Sequence, residues 1–227
     1  MARQNRVTPR GDIVATAARG SCMGNRGCLH DEHGAIRRAY QTRRWIICLL
    51  EFKGRRLSIM APGHYTQLFF LDEATALAAG HRPCAECQRA KFDAFRAHWI
   101  AANADLPDSS APGVDAIDAV LHRERISDQH YQRDKLKRTY SARLDELPDG
   151  AFVVLASSDT PYLVRSDALL PWSFAGYGRP IMRPAEVAQV LTPRSTVRAL
   201  AHGYRADLHP SALHTNPRSG VSWYAGH

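Results

Sequence analysis

The chain has 227 residues, 44% of them hydrophobic, and 30 Lys and Arg against 22 Asp and Glu, a formal net charge of +8. The apolar share is enough for a packed core, and the charge, carried mostly by arginine, favours polyanionic partners. Five cysteines, an odd count that includes a C-x-x-C, argue against a disulfide framework and for a metal in a reducing compartment.

The longest apolar run, residues 45–50, is far too short to cross a membrane. The first residues, MARQNRVTPRGD, lack the apolar segment of a signal peptide. A cytoplasmic protein without a membrane partner is expected.

In chain order, residues 12–18 (DIVATAA) read as a short strand or helical turn. Residues 19–34 (RGSCMGNRGCLHDEHG) read as a reactive loop rather than a core element. Gly20, Gly24, Gly27 and Gly34 let a loop pack closely on a ligand. Arg19 and Arg26 suit phosphate or carboxylate, and Cys22, Cys28, His30 and His33 suit a metal. Residues 35–60 predict a β-hairpin: a strand over 44–52, a turn at Lys53-Gly54, and a return over 55–60. Cys48, inside the apolar run, reads as a core thiol. Residues 64–71 (HYTQLFFL) predict another strand.

Residues 72–88, DEATALAAGHRPCAECQ, are the most informative stretch. Asp72 caps a short alanine-rich helix, Glu73 suits its first turn, and Gly80 stops it. Cys84-Ala85-Glu86-Cys87 then offers two thiolates on a tight turn, half of a zinc site. A helix follows over 87–100, with Phe92, Phe95 and Trp99 on one face.

Residues 101–113 form a polar linker, and 114–147 predict a helix in two pieces. This segment carries Arg123, Arg125, Arg133, Lys135, Lys137 and Arg138, interleaved with Tyr131. Such cations take phosphates while bases stack on the tyrosine. Short strands are expected over 151–156, 161–164, 168–172 and 187–191. Thr192-Pro193 starts a helix, with Thr192 as its cap, and 203–227 read as a loosely held tail.

The expected fold is α+β: a small antiparallel sheet and helices built around a zinc knuckle. Residues 1–110 hold the knuckle and hairpin. Residues 111–227 add the helical segment and a β-rich part, forming one compact domain with the first.

Phe69-Phe70, the alanines, and Gly80-His81-Arg82-Pro83-Cys84-x-x-Cys87 together resemble the zinc-binding methylphosphotriester-repair domain of the Ada family, over residues 64–92 or so. The resemblance implies a shared zinc knuckle and a DNA context. It does not imply the same reaction, because that family draws a second cysteine pair from just before the helix, and residues 49–81 here hold no cysteine.

The missing ligands are therefore sought in the loop at 19–34. Cys28, His30, Cys84 and Cys87 make a Cys₃His zinc site, with Cys22 as an alternative for either loop ligand. His30-x-Glu32 with Pro83-Cys84-x-x-Cys87 also satisfies the H-x-E…P-C-x-x-C pattern of zinc nucleobase deaminases, in which Glu32 would shuttle protons.

Three functions fit. The first is a zinc-containing nucleic-acid-binding protein of the repair or processing type, on DNA more than RNA. In it Asp31, Glu32 and Arg26 would carry chemistry at a base or phosphate. The second is a non-catalytic zinc-stabilised binding module. The third is an enzyme for a small anionic metabolite. Whether the arginines gather in a concave pocket or along an open groove discriminates among them.

Overall fold

A computed structural model describes residues 2–54, 58–106, 113–127 and 137–213. The fold is α+β, as expected, with two sheets and four α-helices among the described residues.

The first sheet is built from β1 (Gln4–Val7), β2 (Ile13–Ala15), β3 (Cys22–Asn25), β4 (Ile46–Cys48), β5 (Leu68–Phe70) and β6 (Arg82–Pro83), in the order β2-β1-β5-β3-β4-β6. It is mixed: β1 runs parallel to β5, and β4 parallel to β6, while the other pairs are antiparallel.

Two expectations change here. The glycine-rich stretch is not all loop, because β3 lies inside the sheet between β5 and β4. Gly24, within β3, serves packing. A Cβ on Gly24 would come within 2.5 Å of the Phe70 ring. Nor is β4 half of a hairpin. Its neighbours are β3 and β6, so the strand pairs across long stretches of chain instead of with its own continuation. The predicted turn does form at Lys53-Gly54, both in the left-handed region. The predicted return falls partly on residues 55–57, outside the described residues.

Helix α1 (Glu73–Ala78) follows β5, and every one of its residues is buried. Ala76 and Leu77 pack into the core of the first sheet, while Ala74 and Ala78 pack into the core of the second. A helix enclosed on all sides explains the run of alanines, which leave room for both layers.

Asp72 caps it as expected, accepting from the Thr75 amide (2.8 Å) and hydroxyl (2.7 Å). Helix α2 (Arg89–Ala102) buries Phe92, Phe95 and Trp99, the expected face. It packs with α3 (Val114–Arg125) and α4 (Arg194–Ala201) over the first sheet.

The second predicted helical piece is not formed where it can be described. Residues 128–136 lie outside the described residues, and Tyr140–Arg143 is a strand, β7. It borders the second sheet, which contains β8 (Phe152–Val154), β9 (Pro161–Arg165), β10 (Ala168–Ser173), β11 (Gly176–Tyr177), β12 (Ile181–Met182) and β13 (Val187–Val190), all antiparallel.

Thr192 does not cap α4. Its hydroxyl instead accepts from the Phe152 amide at 2.9 Å.

Residues 203–213 are held rather than loose. The Tyr204 hydroxyl donates to Glu73 Oε1 (2.5 Å), the Asp207 amide to Glu73 Oε2 (2.8 Å), and the His209 amide to Asp72 Oδ2 (2.9 Å). The two acids that open α1 thus tie the end of the described chain to its middle. Residues 214–227 lie outside the described residues.

Candidate metal centre and cationic cavity

The parallel pairing of β4 with β6 sets the metal-ligating cluster. Ile46 lies opposite Arg82 and Ile47 opposite Pro83, and the Cys84 amide donates to the Ile47 carbonyl at 2.9 Å. One more residue along each strand brings Cys48 beside Cys84. The sulfurs of Cys48, Cys84 and Cys87 all lie within 4.8 Å of one another. Tetrahedral zinc with Zn–S bonds near 2.3 Å needs sulfurs roughly 3.8 Å apart, so the three thiols fit one thiophilic ion with small adjustments.

The Glu86 amide points at Cys84 Sγ (3.4 Å), the turn geometry that supports a thiolate. Hydrogen bonding from the Cys48 thiol, together with the Cys87 and Glu86 amides, draws the Cys84 thiol down to about 5. The Cys48 thiol is pushed up, first by its hydrogen bond to Cys84 and then by burial.

The expected loop ligands are elsewhere. His30 Nδ1 meets the Thr66 hydroxyl at 2.5 Å and Nε2 meets the Ala61 carbonyl, so both ring nitrogens are engaged in the protein framework. The Cys28 thiol lies against the His30 carbonyl (3.6 Å). Among the described residues, neither joins the cluster with Cys84 and Cys87. Cys48 takes that place, and the reading of it as a mere core thiol is corrected.

Asp31 serves the turn that follows it. Oδ1 accepts from the His33 and Ala35 amides and Oδ2 from Arg37. Glu32 is exposed beside His33. The H-x-E half of the deaminase pattern is thus not assembled on the cysteines.

A second feature lies at the other end of the same strand pair. Trp45 precedes β4, His81 precedes β6, and their rings are 5.2 Å apart. The guanidinium carbons of Arg26 and Arg125 lie 4.0 and 3.9 Å from the Trp45 ring centroid. Both arginines are buried, and both line a cavity of about 470 Å³ together with Lys137, Asp12, Gly11 and the outer cations Arg10, Arg37 and Arg38.

No carboxylate hydrogen-bonds either buried arginine among the described residues. Arg26 donates to His81 Nε2 (3.2 Å) and to the Gly11 carbonyl (3.0 Å), and its Nη2 has no partner among the described residues. Arg125 donates to the Gly80 and Arg43 carbonyls, each at 2.7 Å. Lys137 donates to the Ala78 carbonyl.

Gly80 is needed for this arrangement. A Cβ there would come within 2.5 Å of the Arg125 side chain, and its φ of +93° suits only glycine without strain. The residue expected to end the helix thus also admits an arginine.

Burial without a matching anion depresses Arg26, Arg125 and Lys137. Arg26 is pushed down to about 9 by desolvation, and Lys137 to about 7 by desolvation first and then by Arg26 and Arg125. For Arg26, Asp12 partly opposes the burial effect. His81 is held neutral by the same burial and by Arg26, Arg125 and Lys137. Since its Nε2 accepts from Arg26, its proton sits on Nδ1.

Arg26, Arg125 and Lys137 were picked out in the sequence, and the fold brings these three together. Arg19 and Arg123 are exposed, and neither lines the cavity. The Arg138 amide donates to the Arg125 carbonyl. Tyr131, Arg133 and Lys135 lie outside the described residues. Trp45 and His81 were missed as members of the site. A tryptophan next to an apolar strand and a histidine in a helix-stop turn give no local sign that they hold arginines.

In comparisons with protein-family models, with curated proteins and with solved structures, nothing matches this chain.

Proposed function

We propose that this chain is a zinc-containing nucleic-acid-binding protein of the repair or processing type, and that its zinc is a staple and not the reacting centre. The observation that carries the reading is the placement of the two features on one strand pair. Cys48 and Cys84 stand at one end of β4 and β6; Trp45 and His81, which hold the buried arginines, stand at the other.

Zinc on Cys48, Cys84 and Cys87 would lock the register of two very short strands that have few hydrogen bonds of their own. When bound, it would supply charge neutralisation of the thiolates and a fixed turn. The chain's own residues supply the anion recognition: guanidinium and ammonium groups held by carbonyls, with donors left for a phosphate. The local likeness of residues 64–92 to the Ada repair domain agrees with the knuckle and the DNA context. Arginines gathered in a concave pocket are the arrangement expected for a small anionic ligand, so an enzyme acting on a small anionic metabolite stands as the second reading.

The test is paired. Purified protein should carry about one zinc per chain by metal analysis. Binding to short single-stranded DNA, followed by fluorescence anisotropy, should weaken steeply as salt is raised. Absence of binding to DNA and RNA at low salt would remove the nucleic-acid reading, and absence of zinc would remove the staple.

A further inference from the structure

The cavity wall has more to say about its ligand than that it is an anion. Arg26, Arg125 and Lys137 bring three positive charges to it, and Asp12 is the one acid among the described residues lining it. The outer cations are partly spoken for: Arg37 pairs with Asp31, and Arg10 lies near Asp159. Setting those two aside, Arg26, Arg125 and Lys137 against Asp12 leave a surplus of two charges on the inner wall, and Arg38 further out adds to it. A buried charge without a partner is costly, and the structure that keeps it gains when an anion of matching charge arrives.

A phosphodiester carries one negative charge and leaves one cation uncompensated. A phosphomonoester as its dianion carries two. Arg26 Nη2 is buried, has no partner among the described residues, and belongs to the cavity wall. A Cβ built on Gly11, also in the wall, would sit 3.7 Å from that nitrogen. Gly11, at φ +92°, thus keeps the approach to Arg26 clear. The volume, about 470 Å³, is roughly fifteen water volumes. That is more than one phosphate fills and within the range of sites for small organic ligands.

We propose that this cavity binds a phosphomonoester group carried on a nucleoside-sized body, with Arg26, Arg125 and Lys137 as its phosphate ligands. The inference deepens the reading above by naming the group recognised, and it stands or falls separately from nucleic-acid binding. The chemistry has two sources, a free nucleoside monophosphate or the phosphorylated end of a strand.

Calorimetric titration of the full-length, zinc-loaded chain distinguishes them. The ligands are inorganic phosphate, a nucleoside 5′-monophosphate, the nucleoside itself, and one oligonucleotide with and without a 5′-phosphate. Phosphate and the monophosphate should compete for a single site that the nucleoside does not occupy. An oligonucleotide that binds about tenfold more tightly when phosphorylated identifies a strand end as the source. If the monophosphate binds and the oligonucleotide's phosphate makes no difference, the source is the free nucleotide.

Arg26→Gln and Lys137→Met should each weaken phosphate binding by roughly tenfold or more, the usual loss for a charge-assisted hydrogen bond. Because either variant can fail to fold, the wild-type protein carries a second readout. The Nε–H resonances of Arg26 and Arg125 should move when inorganic phosphate is titrated in. Absent phosphate binding, binding unchanged in folded variants, or unmoved arginine resonances would overturn the proposal. Salt-sensitive DNA binding that ignores the 5′-phosphate, with no binding of free phosphate or the monophosphate, would overturn this inference alone. Phosphate binding without any binding of oligonucleotides would instead remove the nucleic-acid reading and leave the cavity's ligand as a free nucleotide.

Discussion

Cys48 is the residue on which the candidate metal centre turns. In the sequence it looks like part of an apolar strand, and only the parallel register of β4 against β6 makes it the neighbour of Cys84. Cys28, which the sequence favours, lies against a backbone carbonyl and not in the cluster. The two cysteines therefore separate in a mutation experiment. Cys48→Ser should lower zinc affinity by more than about 100-fold, since even the loss of a supporting contact around a ligand costs up to that much. Cys28→Ser should leave zinc content at the wild-type level. A competition assay with a chromogenic chelator reads both. Equal zinc retention in Cys48→Ser and wild type would remove Cys48 from the ligand set.

At the scale of elements, α1 shows how much of the fold local chemistry decides. Its cap, its alanines, its glycine stop and the aromatic face of α2 are all legible in the sequence, because each is a short-range preference. What was not legible is long-range pairing. The central position of β3 depends on Gly24 meeting Phe70 from another strand. The loss of the hairpin depends on β6, thirty-six residues further along in register with β4. Of the candidate site, the C-x-x-C and the cations Arg26, Arg125 and Lys137 were legible as residue types. Their assembly around Trp45 and His81 was not, since aromatic support for a buried guanidinium has no spacing rule in sequence.

Asp72 shows a local device with a long-range use. One oxygen caps α1 through Thr75, and the other accepts from the Tyr177 hydroxyl (2.7 Å) and the His209 amide. Asp72→Ala removes a cap, worth about 1 kcal/mol, and leaves buried donors unpaired at about 1–3 kcal/mol. A loss near 3 kcal/mol or more is expected in denaturant unfolding, and Asp72→Asn should lose clearly less because it keeps an acceptor oxygen. A loss below about 1 kcal/mol for Asp72→Ala, no larger than a cap alone, would show that this carboxylate does not join the layers.

The whole molecule carries the cost of its cationic wall, and that cost has a sign in pH. Lys137 has a folded-state value of about 7, lowered from 10.5 by burial, with Arg26 and Arg125 adding to the effect and Asp12 opposing it. Between those two values the unfolded chain holds a proton that the folded chain has released. Stability therefore rises with pH across that interval, and the penalty is fully present below it. His81, neutral in the fold and lowered by burial and the same cations, adds a slope of the same sign below pH 6.5. The readable window is about pH 7 to 8.5, where Cys84, held low in the fold while an unfolded thiol keeps its proton, adds a slope of the same sign. In buffer free of phosphate and other polyanions, unfolding temperature should climb through this window. Saturating phosphate should raise stability most at its acidic end, where Lys137 is charged, and so flatten the climb. Lys137→Met should lessen the climb without any anion, and that difference is the share of Lys137. A scan of unfolding temperature against pH, with and without phosphate, reads how far one half-buried ammonium governs global stability. An unfolding temperature that stays level or falls across the window in anion-free buffer would show that these cations are already compensated in the folded protein.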